Sequence, residues 1–244
     1  MAQRVVSLLP SATYTATQIG ADANIVGRTS YCPKPRRGTQ SATVGDAMTV
    51  NMESIMALRP DVVIASPFTP QAVTSKLKSL RIKVAEIATP KDLDELDRQT
   101  KEIGTLTNHQ REAEANVATE HAKVDSLAGV TTWARGKKVY IQIGTHPLWG
   151  ATPDYYINDM TTRLGMTNVL AENEGPCSRE AVLRRGPDVI IVSSMGGLGK
   201  AEAAEWSRLT KATVIVVDET TLCCPTPTFF RMTMESICQG GQRK

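Results

Sequence analysis

Six short apolar runs punctuate the chain, at residues 5–9, 62–65, 84–87, 139–143, 189–192 and 214–217. They are rich in Val and Ile and apolar without alternation, which is the pattern of strands in a parallel sheet covered on both faces. A further strand is predicted at Asn24-Ile25-Val26. Helical patterns fall between the runs, giving the rhythm of β-α-β crossover units.

The pattern repeats. Glu53-Ser-Ile-Met-Ala-Leu-Arg-Pro60-Asp61-Val62-Val63-Ile64-Ala65-Ser66 aligns with Glu180-Ala-Val-Leu-Arg-Arg-Gly-Pro187-Asp188-Val189-Ile190-Ile191-Val192-Ser193 at a constant offset, 180 − 53 = 127. Each copy reads as a helix stopped before a Pro-Asp turn that feeds a buried strand. Upstream, Ile19-Gly20 precedes Asn24-Ile25-Val26 as Leu164-Gly165 precedes Asn168-Val169-Leu170, and residues 82–87 echo 213–217. The order of matching features predicts two similar α/β lobes, 1–105 and 131–244.

Between them lies a polar stretch, 108–127, rich in Ala, Glu and Gln, with Ala113, Val117, Val124 and Leu127 on a rough helical stripe and Gly129 placed to end it. A helix of that length spans about 30 Å. The predicted architecture is α/β: two Rossmann-like lobes with parallel sheets, joined by a single long bridging helix within 106–130, with a ligand cleft between the lobes. Carboxyl ends of strands would line the cleft.

Composition narrows the function classes. The 244 residues are 41% hydrophobic and 22% charged, as in ordinary globular proteins. No apolar run approaches the roughly 20 residues of a membrane span. The net charge of +3 and an aromatic content of 5% give no basic stripe and no base-stacking platform, so no nucleic acid is expected as a partner. The first residues form too short an apolar stretch for a signal peptide, so either the protein is cytosolic or its native signal is absent from this chain.

The loops after the strands carry the candidate chemistry: Pro10-Ser11, Tyr31-Cys32, Phe68, His146 to Trp149, Gly175, and Gly196. Tyr31, Phe68 and Trp149 concentrate aromatics in a chain with few. They either offer ring faces to a large, partly apolar small molecule or fasten their own loops. Arg28, Lys34, Arg36 and Arg37 read as a solvated basic loop. His109 and His121 read as solvated positions on or near the polar helix. No nucleophile elbow, metalloprotease helix or phosphate-binding loop occurs, and Gly196-Gly197-Leu198-Gly199 reads as a plain turn. Cys32, Cys177, Cys223 and Cys224 fall in loops but lack metal-site spacing, and no catalytic residue, metal ligand or resident cofactor is expected.

In order along the chain, Arg4-Val-Val-Ser-Leu-Leu-Pro-Ser-Ala-Thr, Val26-Gly-Arg-Thr-Ser-Tyr-Cys-Pro, Asn51-Met-Glu-Ser-Ile-Met-Ala-Leu-Arg-Pro-Asp-Val-Val-Ile, Ser178-Arg-Glu-Ala-Val-Leu and Cys224-Pro-Thr-Pro resemble the class III, helical-backbone periplasmic substrate-binding proteins of ABC importers. The resemblance is strongest to the vitamin B12-binding branch, beside ferric-siderophore and haem binders.

It implies binding without chemistry of a corrinoid or other metal chelate and delivery to a dimeric permease. The protein would be a monomer, periplasmic or lipid-anchored outside the cytoplasm. A paired-lobe enzyme such as a chelatase is the rival of another class. The implied ligand contacts include Tyr31 and, opposite, an aromatic at about Trp149. Three tryptophan or arginine positions of that branch are altered, falling at about Ala47, Gly175 and Thr228. Glutamates matching Glu53 and Glu180 meet arginine pockets on the permease subunits. In a periplasmic protein Cys177 would pair with Cys223 or Cys224, leaving Cys32 free.

Overall fold

The computed structural model describes residues 3–34, 40–46 and 49–242. Ala47, Arg36 and Arg37, singled out above, lie outside the described residues. The chain divides into two units, Met1–Thr89 with Asp94–Thr119, and Pro90–Leu93 with Glu120–Lys244.

In the first unit the order is β1 (Val5–Ser7), α1 (Pro10–Gln18), β2 (Ile25–Arg28), β3 (Ala42–Thr43), α2 (Met52–Ala57), β4 (Val62–Ala65), α3 (Gln71–Ser79), β5 (Lys83–Glu86), α4 (Leu93–Thr107) and α5 (Gln110–Val130). The strands form one parallel sheet in the order β3-β2-β1-β4-β5. Its two faces explain the apolar runs. Val5, Val62, Ile64 and Ala85 pack with Ala12 and Ala16 of α1, Ile103 and Leu106 of α4 and Ala113 of α5. Val6 and Val63 pack on the other face with Ile55 of α2 and Leu77 of α3. Successive residues of a strand point to opposite faces, so both must be apolar.

α4 ends at Asn108, whose φ of 59° breaks the helix. α5 then runs through Gly129 to Val130; this glycine does not stop the helix, because it keeps a helical backbone there. Residues 110–119 of α5 are grouped with the first unit and 120–130 with the second. His109 is not simply solvated: its Nδ1 lies 2.7 Å from the Thr107 carbonyl, and His121 is half-buried.

The second unit contains β6 (Lys138–Thr145), β7 (Leu148–Gly150), α6 (Tyr156–Arg163), β8 (Thr167–Asn168), α7 (Arg179–Arg185), β9 (Val189–Ser193), α8 (Gly199–Leu209), β10 (Thr213–Val217), α9 (Glu219–Cys223) and α10 (Pro227–Gln242). The parallel run β8-β6-β9-β10 has the same order as β2-β1-β4-β5 of the first unit, as the repeat predicts. One face packs Tyr140, Ile190 and Val192 against Leu170, Val182 of α7 and Trp206 of α8. α10 packs on β10 and α6, with Phe230, Met234 and Ile237 buried.

The segment after Ile143 departs from expectation. Gly144 and Thr145 continue β6, and β7 returns antiparallel to it, so the predicted loop is a hairpin turning at His146 and Pro147. Among the described residues no helix is long and apolar enough to cross a membrane.

Candidate functional site

The predicted contact residues gather at the carboxyl edge of each sheet. In the first unit, β1 is flanked by β2 and β4, so three strand ends lie side by side. β1 runs into Pro10 and Ser11, at the start of α1; Ser11 is buried and Pro10 half-buried. Proline suits this first helical position, where its missing N–H would have no partner. Tyr31 follows β2 and Phe68 follows β4, and both rings stand in solvent, 69% and 75% exposed. They do not fasten their own loops. Cys32 is buried instead: its thiol lies 3.2 Å from Thr29 Oγ1 and donates to the Ser7 carbonyl at 3.6 Å.

Arg28 does not belong to a solvated loop. It is the last residue of β2, opposite Ser7 of β1, and only 7% exposed. Lys34 is exposed. The only hint of Arg28's burial in the sequence is its place at the end of the apolar strand Ile25-Val26-Gly27.

In the second unit, Trp149 on β7 lies against the loop that follows β8. Trp149 and Pro176 form an antiparallel bridge, and the Gly150 N–H donates to the Gly175 carbonyl at 2.8 Å. Gly175 is buried beneath the indole; a Cβ there would meet Trp149 Nε1 at 2.5 Å. Trp149 thus fastens its loop and still leaves 38% of itself exposed. His146 is exposed at the hairpin turn. Gly196, with φ 62°, follows β9, and its N–H donates to Glu219 Oε2 at 3.2 Å.

Beneath this edge lies a polar network that sequence reading misses. Trp206 Nε1 donates to Gln142 Oε1 at 2.6 Å, while Gln142 Nε2 and Arg179 Nη2 both donate to Glu202 Oε2 at 2.8 Å. The Arg179 guanidinium covers the Trp206 ring at 4.9 Å, and Tyr140 meets that ring edge-on at 5.7 Å. Burial works against ionising Glu202, but the bonds from Gln142 and Arg179 outweigh it and hold the carboxyl below its usual range. Tyr140 and Gln142 of β6, Arg179 of α7 and Glu202 and Trp206 of α8 meet here from three separate elements, and no local pattern announces them.

The expected disulfide does not form: none of the five cysteines is joined to another. The Cys177 thiol lies 3.2 Å from the Tyr140 hydroxyl, and burial with that contact raises the Tyr140 pKa. No cysteine belongs to a cluster of three metal-ligating side chains among the described residues.

Glu53 and Glu180 occupy equivalent places. Each is the second residue of its helix, α2 or α7, and each is exposed. Asn51 Oδ1 accepts from the Ser54 N–H at 3.0 Å and Ser178 Oγ from the Ala181 N–H at 3.2 Å, so the N-caps share the 127-residue offset as well. The Glu180 carboxyl is held below its usual range by its own backbone N–H and the Ser178 hydroxyl. Thr228, in the first turn of α10, is half-buried.

The arrangement offers aromatic faces and scattered polar groups at strand ends, which suits holding a small molecule. The chain is 26% identical to a vitamin B12-binding protein of Pectobacterium carotovorum over 223 residues, covering 89% of this chain and 80% of the relative. Its fold matches the periplasmic vitamin B12-binding protein of Vibrio cholerae, with a TM-score of 0.81 at 22% identity, covering 100% of this chain and 99% of the other. It also matches a periplasmic heme-binding protein of Vibrio cholerae, with a TM-score of 0.83 at 19% identity over 97% and 98% of the two chains. The sequence pattern of one family extends over residues 5–218, nearly from the first strand to the end of the last: the chain belongs to the periplasmic binding protein family.

Proposed function

We propose that this chain is an extracytoplasmic solute-binding protein that captures a corrinoid and delivers it to an ABC importer. The supporting observation is the exposure of Tyr31 and Phe68 at strand ends flanking the start of α1, with Trp149 half-open at the equivalent edge of the second unit. Solvent-facing aromatics cost hydration unless a ligand covers them. Pro10, Ser11, Cys32, His146, Gly175 and Gly196 complete or shape these two surfaces. Glu53 and Glu180 would dock the protein on the permease dimer. The protein acts as a monomer and holds its ligand without chemistry. The vitamin B12-binding relatives favour a corrinoid over other chelates.

A haem or ferric siderophore is the second reading, favoured by the fold's equal likeness to a heme-binding protein. Native mass spectrometry and visible absorption of protein purified from its own host separate them, because the three ligands differ in mass and spectrum. A corrinoid mass and band are expected; a Soret band or a ferric-siderophore charge-transfer band would replace the corrinoid by the second reading.

A further inference from the structure

Among the described residues, Arg28 is a buried cation without a counter-charge. Its Nη1 donates to the carbonyls of Thr29 at 3.1 Å and Cys32 at 3.2 Å. Its Nε is buried and meets no acceptor, and no carboxylate pairs with it among the described residues. Burying a guanidinium is strongly disfavoured unless an anion answers it, and two neutral carbonyls on one nitrogen leave that charge unanswered.

The surroundings add to the positive potential. Arg28 stands opposite Ser7 at the carboxyl ends of paired strands. Three residues after Ser7 the nine-residue α1 begins, with no side-chain cap on its N-terminus and no acidic residue in its first turn. Cys32 links Arg28 to Ser7, accepting from Arg28 through its carbonyl and donating to the Ser7 carbonyl through its thiol. An uncapped helix start and a partly unsatisfied guanidinium, carried at the ends of neighbouring strands, suit a group with two or more anionic oxygens.

We propose that Arg28, with the first turn of α1, holds an anionic oxygen group of the ligand, a phosphate or a carboxylate. The assignment rests on reading this sheet edge as a ligand surface. It makes the charged group, rather than the ring system alone, part of what the protein selects.

Inorganic phosphate is the first probe. It is expected to raise the melting temperature of the wild type above its value in chloride of matched ionic strength, and Arg28→Met is expected to abolish that gain. Without phosphate, Arg28→Met should melt lower than wild type, because the Thr29 and Cys32 carbonyls lose their donor; the phosphate-dependent gain, not the baseline, carries the test. An equal phosphate response in wild type and Arg28→Met, or in wild type and Arg28→Gln should the methionine variant fail to fold, would overturn the proposal.

Matched ligand pairs then identify the source of the anion. Cobinamide phosphate against cobinamide tests a phosphate, and haemin against its dimethyl ester tests carboxylates. Wild type should prefer the charged member of a pair by about tenfold, Arg28→Lys should keep part of the preference and Arg28→Met none. If no corrinoid binds while phosphate still discriminates, the corrinoid reading falls and the anion site stands. If both corrinoids bind equally and phosphate does not discriminate, the corrinoid reading stands and the Arg28 assignment falls.

Discussion

Asp188 and Lys138 hold each other twice: the Asp188 N–H donates to the Lys138 carbonyl at 2.8 Å, and the Lys138 N–H donates to Asp188 Oδ2 at 2.8 Å. Asp61 and Arg4 make the same pair of bonds at 2.8 and 2.7 Å. This is the physical content of the repeated Pro-Asp turn: proline stops the helix and aspartate fastens the next strand to the first strand of its unit. Asp188→Ala and Asp61→Ala should each lower stability in urea by about 1 kcal/mol, and the asparagine variants by less, since the acceptor oxygen remains. Both turns lie at the amino edges of the sheets, so ligand affinity should not change.

The polar network around Gln142 should be costly to break. Gln142→Leu leaves the buried Trp206 N–H without an acceptor and removes one of two donors to Glu202. A loss of about 2 kcal/mol is expected, with a changed near-ultraviolet circular dichroism signal from Trp206. An unchanged spectrum and stability would show that the network contributes nothing net.

Acid should loosen the loop after β8. Arg185 donates to Glu174 through Nη1 at 2.5 Å and Nη2 at 2.8 Å, and the Ala171 N–H adds a bond at 2.7 Å. These bonds hold the Glu174 pKa down to about 2. A depressed carboxyl stabilises the fold above its unfolded pKa and loses that contribution as pH falls toward the folded value, because the unfolded chain binds the proton first. Stability measured in urea across this window should therefore fall less steeply with acid in Glu174→Gln than in wild type.

Gly175→Ala should disturb the Trp149 surface without unfolding the unit. The added Cβ would stand 2.5 Å from Nε1 of the indole, so the ring must turn out. Ligand affinity, read by fluorescence titration, is expected to drop about tenfold, equivalent to about 1.4 kcal/mol, while the melting temperature shifts little.

The two equivalent glutamates give a transport test. Exposed charges at a rim set association rate and orientation more than stability. Replacing Glu53 and Glu180 together with alanine should leave ligand affinity and melting temperature nearly unchanged and reduce uptake more than either single change. Wild-type uptake by the double variant at low salt would refute the docking role.

What was legible in the sequence follows from burial. β4 and β9 announce themselves because both faces are covered and nearly every side chain is apolar; β10 reads the same way although it is an edge strand with Val216 exposed. β7 was missed because Leu148-Trp149-Gly150 is short and partly exposed, and its pairing with β6 shows in no local alternation. Gly129 misled because glycine ends helices only where a left-handed backbone is needed. Among site residues, Tyr31 and Phe68 could be found as aromatics after strands. The burial of Arg28 and the stacking of Trp149 on Gly175 depend on which loops the topology brings together, and charge or aromaticity alone points the wrong way.

The contact between Trp149 and Gly175 also constrains how such a protein can change through descent. The B12-binding branch that this sequence resembles carries a tryptophan near position 175, where here a glycine lies under the indole of position 149. A bulky residue at 175 fits only when the ring at 149 has swung aside from its present seat, since even a Cβ would meet the indole. Relatives with aromatics at both positions should therefore hold the ring of 149 in another rotamer than this chain does, and a change of ligand preference should accompany that reorientation.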